Sequence, residues 1–172
     1  MSRIAILITT LALAFPAFAQ DTDRLSVEDI LQTLAALDPD ARSTGVGIEL
    51  TIEDVPVLVI IDPVNDRMRA MVPIRSVSDM DEADFRRVLQ ANFDTALDAR
   101  YAIAQGKLWG VFIHPLSPLE RNELISGIGQ SVNLALSYGT AYSSGAVGFG
   151  AGDSGPILRN LIDRLLDKGQ AL

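Results

Sequence analysis

The 172-residue chain has no cysteine, one histidine and one tryptophan, and aromatic residues make up only 6% of it. Without cysteine there is no disulfide framework, thiol nucleophile or thiolate-ligated zinc, and a lone histidine removes every multi-histidine metal site. Basic residues are scarce, 14 against 22 acidic, giving a net charge of −8. That balance argues against nucleic acid and anionic membranes as partners, because both demand a basic face to displace counterions. Charge of either sign is missing between Ser126 and Gly152, while six of the 13 glycines fall between Gly139 and Gly155. Large apolar residues are too sparse there for a membrane span, so the stretch reads as a helix end followed by a Gly/Ser-rich linker, 139–155.

The chain opens with Arg3, an apolar run from Ile4 to Phe15, and the small-x-small triplet Ala17-Phe18-Ala19. This is the pattern of a secretory signal peptide, 1–19, cleaved after Ala19. Its apolar run, about twelve residues, falls short of the roughly 20 that a spanning helix needs. The sequence therefore predicts an acidic, exported product, periplasmic or secreted, with no stable membrane span after cleavage.

Hydrophobic period places the elements of the remainder. Ser26-Val27-Glu28-Asp29 begins a helix with Val27, Ile30, Leu31, Leu34 and Leu37 on one stripe, stopped by Asp38-Pro39-Asp40. Gly45–Ile52, Val55–Ile61 and Met68–Ile74 read as a three-strand meander joined by Glu53-Asp54 and Asp62–Asp66. Pro56 and Pro73 lack a ladder donor, which predicts strand ends or an exposed edge for both. From Asp81 the period becomes helical, with Phe85, Val88, Leu89, Phe93, Ala96 and Leu97 on the inward face. Ala99–Ala104 and Leu108–Ile113 flank Gln105-Gly106-Lys107 as a hairpin, with Tyr101, Ile103, Leu108 and Phe112 inward and Trp109 on the alternate face. Ser117-Pro118-Leu119-Glu120 starts a third helix, in which Gly127 and Gly129 predict close packing and which Gly139 ends. A C-terminal amphipathic helix, 156–172, carries Ile157, Leu158, Leu161, Ile162 and Leu165 along one stripe. The sum is an α+β domain, 20–138, with an antiparallel sheet and helices packed on it in the order α-β-β-β-α-β-β-α, followed by linker and terminal helix.

That order, with Leu89-Gln90-Ala91-Asn92-Phe93, Ala99-Arg100-Tyr101-Ala102-Ile103, Gly106-Lys107-Leu108-Trp109 and His114-Pro115-Leu116, resembles the class I type III secretion chaperone-like fold, specifically the YbjN-like bacterial sensory-transduction-regulator type. The resemblance spans roughly residues 25 to 138 and rests on packing and turn residues. It implies a small acidic homodimer that holds an extended polypeptide client, and it implies no enzyme.

Chemistry-bearing motifs are weak. Gly152-Asp153-Ser154-Gly155-Pro156 is similar to the nucleophile segment of trypsin-like proteases, but the chain is too short for that fold and a helix start explains the string. Gly148–Gly152 lacks the preceding strand and following lysine of a phosphate loop. His114, before Pro115, has no second ligand of its kind, and Asp79–Asp84 is explained by a helix N-terminus, where negative charge is favoured. No catalytic, cofactor or metal site is expected. The residues left for partner binding are Trp109, Ile157, Leu158, Leu161, Ile162 and Leu165. They leave three readings: an exported homodimeric chaperone-like binding module, an interaction protein whose terminal helix recruits a partner or regulates the core, and an enzyme of unrecognised type.

Overall fold

The computed structural model describes residues 25–145 and 155–170, with the backbone alone for 155–158. The leader with its Ala19 cleavage point, the Gly148–Gly152 string and Asp153-Ser154 lie outside the described residues. The chain is α+β: helix α1 (Val27–Leu37), strands β1 (Arg42–Ser43), β2 (Ile48–Ile52), β3 (Val55–Asp62) and β4 (Arg67–Ser76), helix α2 (Glu82–Asp94), strands β5 (Arg100–Ala104) and β6 (Lys107–His114), and helices α3 (Arg121–Leu136) and α4 (Gly155–Gly169). Meander and hairpin join in one six-stranded antiparallel sheet, ordered β1-β2-β3-β4-β6-β5. The two-residue β1 extends the expected meander by one short edge strand, held by Arg42 on Glu49 at 2.8 Å. Glu53-Asp54 and Gln105-Gly106 both take positive φ, the geometry of two-residue hairpin turns whose hand matches sheet twist.

Helix α3 is the axis of the core. Leu124, Ile125, Ile128, Val132 and Leu134 are fully buried. Its glycines face two ways: a Cβ on Gly127 would strike the Phe112 ring of β6, and one on Gly129 would stand 2.9 Å from Ile162 Cγ1 of α4. The close packing expected at both glycines is present, one against the sheet and the other against a helix. Helix α4 lies along α3 and α1, with Leu161, Ile162 and Leu165 buried. Arg164 reaches Glu53 at 2.7 Å and Lys168 Nζ donates to the Leu37 carbonyl at 2.7 Å, closing the end of α1.

Four expectations are corrected. On α2 the buried residues are Val88 and Ala91, while Phe93 is 89% and Leu89 68% exposed. The helix is rotated by Asn92, whose side chain accepts from Tyr101 N at 2.7 Å and donates to Tyr101 O at 3.0 Å, standing in for a missing neighbour strand at the β5 edge. Ile103, two residues further along that edge and near the hairpin tip, is exposed. Helix α3 starts at Arg121 and not beside Ser117, because Ser117 N and Oγ donate to the Asp66 carboxylate at 2.7 and 2.9 Å. The first half of the expected linker is also part of the domain: Ser143 and Ser144 are buried, Ser137 Oγ donates to Ser143 O, and Asn133 Nδ2 donates to Ser144 O.

The Ser117 donors, backbone first, hold the Asp66 carboxyl below its ordinary value of 3.8. A carboxylate depressed by folding stabilises the fold above its unfolded pKa, and that contribution disappears as pH falls through the lower folded value. The melting temperature is thus expected to fall as pH drops below 3.8, with a shallower acid limb in Asp66→Asn. Identical acid limbs for the two proteins would remove Asp66 as a source.

Candidate functional site

Alternation along the strands gives the sheet two distinct faces. Val57, Val59, Ala70, Val72, Leu108 and Phe112 point into the core under α3. Between them, on the opposite face, Leu58, Met71 and Val111 are direct cross-strand neighbours and half-buried. Ile113 on the same face is 54% exposed, and Thr51, Pro56, Arg69 and Ala102 are exposed as well. The helices described pack on the core side and at the β5 edge, leaving this broad, largely apolar face open.

Pro56 lies at a strand end, as expected, being the second residue of β3, whereas Pro73 is inside β4, and neither strand is an edge of the sheet. Pairing of β3 with β4 runs from Asp62↔Arg67 to Leu58↔Met71 and stops there; two residues further on, the same register sets Pro56 against Pro73. Neither proline has an N–H to give, so the ladder ends between two central strands. Pro73 is instead paired with Trp109 of β6, just before a register shift at Arg75. Where the ladder ends there is a cleft of about 440 Å³, lined by Pro56, Leu58, Pro73 and Trp109 on one side and by Asp38, Asp40, Arg42 and Glu49 on the other. Trp109 is half-buried and its indole N–H donates to Ala104 O at 3.0 Å, which fixes the ring on the open face. Asp38, the residue that caps the C-terminus of α1, is fixed by two donors, Thr51 N at 2.7 Å and Asp40 N at 3.0 Å.

A second cleft, of about 640 Å³, lies between the end of β6 and α3 and includes His114, Glu123, Ser126, Gln130, Asp98 and Arg100. His114 stacks on Phe112 with ring centroids 5.8 Å apart, and its Nε2 is 3.9 Å from Glu123 Oε2. The Ser126 hydroxyl accepts from Gln130 Nε2 at 3.3 Å, while His114 Nδ1 is engaged with Pro115 O at 2.8 Å. No hydrogen bond joins serine to histidine, so the geometry of an activated nucleophile is missing from this cleft. Among the described residues no group of three His, Asp or Glu could hold a metal ion, and no helix is long and apolar enough to cross a membrane.

The six residues marked for partner binding are thus divided. Trp109 stands on the open face of the sheet, beside the cleft. Leu161, Ile162 and Leu165 face α3 and α1 of their own chain, on the far side of the molecule's core. The side chains of Ile157 and Leu158 lie outside the described residues. The carboxylates of the Trp109 cleft escaped sequence reading because Asp38 and Asp40 are explained equally well by a helix stop. A signal was nevertheless available: Pro56 and Pro73 are each six residues from the pair that closes their hairpin, so counting from the turn sets them opposite each other.

No protein-family model matches the chain, and no curated protein matches it. What fold and site define is a class, an α+β domain with helices on one side of an antiparallel sheet and an open apolar face on the other.

Proposed function

We propose that the protein is an exported, non-catalytic polypeptide-binding module of the secretion-chaperone-like type, working as a homodimer and holding an extended client segment on the open face of its sheet. The observation that carries this reading is the row Leu58–Met71–Val111 with Trp109 beside it, apolar surface that no described helix covers. Extended peptides are held on such scaffolds through main-chain contacts and pockets for alternate side chains, and a fixed aromatic is a common anchor. The signal-like leader supports export, and the resemblance over residues 25 to 138 supports a dimer.

The test expresses the full chain with its leader in a bacterium and recovers it from the periplasmic fraction. Light scattering gives its mass, and mass spectrometry identifies what it retains. A dimer that reproducibly retains polypeptide is expected, with Val111→Asp losing that polypeptide while keeping its circular dichroism and melting temperature. Equal retention by the variant, or a clean protein with nothing bound, overturns the sheet face as the binding surface. Recovery from the cytoplasm alone overturns export.

A further inference from the structure

We infer that the Trp109 cleft selects basic segments: its occupant is an extended polypeptide stretch in which lysine or arginine alternates with apolar residues. This rests on the polypeptide-binding reading and names the chemistry of its partner.

Three carboxylates, Asp38, Asp40 and Glu49, line one wall of the cleft, with a single cation, Arg42. That guanidinium is already engaged, giving Glu49 two hydrogen bonds, from Nε at 3.2 Å and Nη2 at 2.8 Å. Asp38 holds two backbone donors, one of them the Asp40 N–H, and the exposed Asp40 carboxylate has no hydrogen bond or ion pair among the described residues. Lys168, which approaches α1 from the α4 side, is bound to the Leu37 carbonyl, and Arg164 is bound to Glu53. The wall therefore keeps net negative charge from its own side chains, three carboxylates against one guanidinium, while the Lys168 ammonium on the Leu37 carbonyl offsets the negative end of α1. The floor adds chemistry of the same sense. Pro56 and Pro73 contribute carbonyl acceptors and no N–H donors, so the rim is richer in acceptors. Trp109 offers a ring over which an ammonium or guanidinium is attracted, and Leu58 with the two prolines offers apolar contact for the neighbouring side chain. An extended strand sends alternate side chains to opposite sides, so a cation every second residue meets the acidic wall repeatedly. The whole chain, at −8, favours encounter with a positively charged segment.

Trp109 is the only tryptophan, so its emission reports on this cleft alone. The experiment titrates the protein with three acetylated, amidated pentapeptides that share leucine at positions one, three and five and carry arginine, glutamine or glutamate between. The arginine peptide is expected to give a saturable emission change at least tenfold tighter than the glutamine peptide, weakening with added salt, and the glutamate peptide none. Asp40→Lys, which changes an exposed side chain and keeps the backbone N–H bond to Asp38, is expected to weaken the arginine peptide at least tenfold without moving the melting temperature. Equal affinity for arginine and glutamine peptides overturns the charge selection and leaves polypeptide binding standing. Spermine binding as tightly as the arginine peptide overturns a polypeptide occupant in favour of a simple polycation. No response to any of the three peptides overturns both this inference and the cleft's part in client binding.

Discussion

Replacing Gly127 by alanine is expected to destabilise the protein by about 2 kcal/mol, although alanine is the better helix former. In an unconstrained helix interior the change gains about 1 kcal/mol. Here the new Cβ would stand 2.6 Å from Phe112 Cγ and closer still to Cδ1 and Cε1, well inside van der Waals contact. The ring cannot withdraw cheaply, because it is 4% exposed and stacked on His114. Overpacking of a closed core costs about 1–3 kcal/mol and occasionally more, so the clash outweighs the propensity gain. Urea denaturation should show a lower midpoint at unchanged slope, the mark of lost stability without a change in compactness. Combining Gly127→Ala with Phe112→Leu should recover part of the loss, a coupling that a double-mutant cycle isolates. An unchanged or higher midpoint for Gly127→Ala would show that α3 and the sheet can separate there at no cost.

The same glycine shows why much of the fold could be read from residues alone. A Gly pair in an otherwise apolar helix announces close neighbours, and the period of hydrophobicity separates strand from helix along most of the chain. Tight turns were equally legible, since Glu53-Asp54 and Gln105-Gly106 sit between alternating runs. What the period could not supply was the rotation of α2. Val88, Leu89 and Phe93 fit one stripe, yet Asn92 decides the orientation by bonding to the edge of β5, a contact nine residues away. Serine 117 was lost to the α3 start for a similar reason, through Asp66 at a separation of 51 residues. Local patterns carry no record of such distant competitors.

The cleft was less legible than the fold. Trp109 could be assigned to the face away from Tyr101 and Phe112 by strand alternation, and it is there. The acidic wall arises only because β1 and β2 bring Arg42 and Glu49 beside the end of α1, and the opening exists only because two prolines meet across a central pair of strands. Each proline alone predicts a strand end or an exposed edge; in register with each other they make an internal edge in the middle of a sheet.

Leu165→Ala is expected to release α4 while leaving the sheet intact. Truncating a buried leucine costs about 2–5 kcal/mol where the site cannot collapse. Leu165 is 6% exposed and, with Ile162, sits over Gly129, a position with no side chain to fill the gap. Helix α4 is the last element described and packs on α3 and α1 through one face, so it can open without unpairing any strand. A loss of about 2 kcal/mol then emerges in hydrogen exchange as roughly 30-fold faster exchange in Leu161–Lys168, at about 1.4 kcal/mol per factor of ten. The amides of Ala70 and Phe112 in the central strands should keep their rates. Equal acceleration in α4 and the sheet would instead make α4 inseparable from the core, and would end any reading in which its apolar face recruits a partner. The expected result has a quantitative consequence of its own. A partner for Leu161, Ile162 and Leu165 must compete with α3, and its apparent affinity is reduced by the fraction of molecules in which α4 is already undocked. If undocking takes about 3 kcal/mol, that reduction is roughly 150-fold. Trp109 and the open sheet face carry no such penalty, which is why the proposed client binding is placed there and not on the terminal helix.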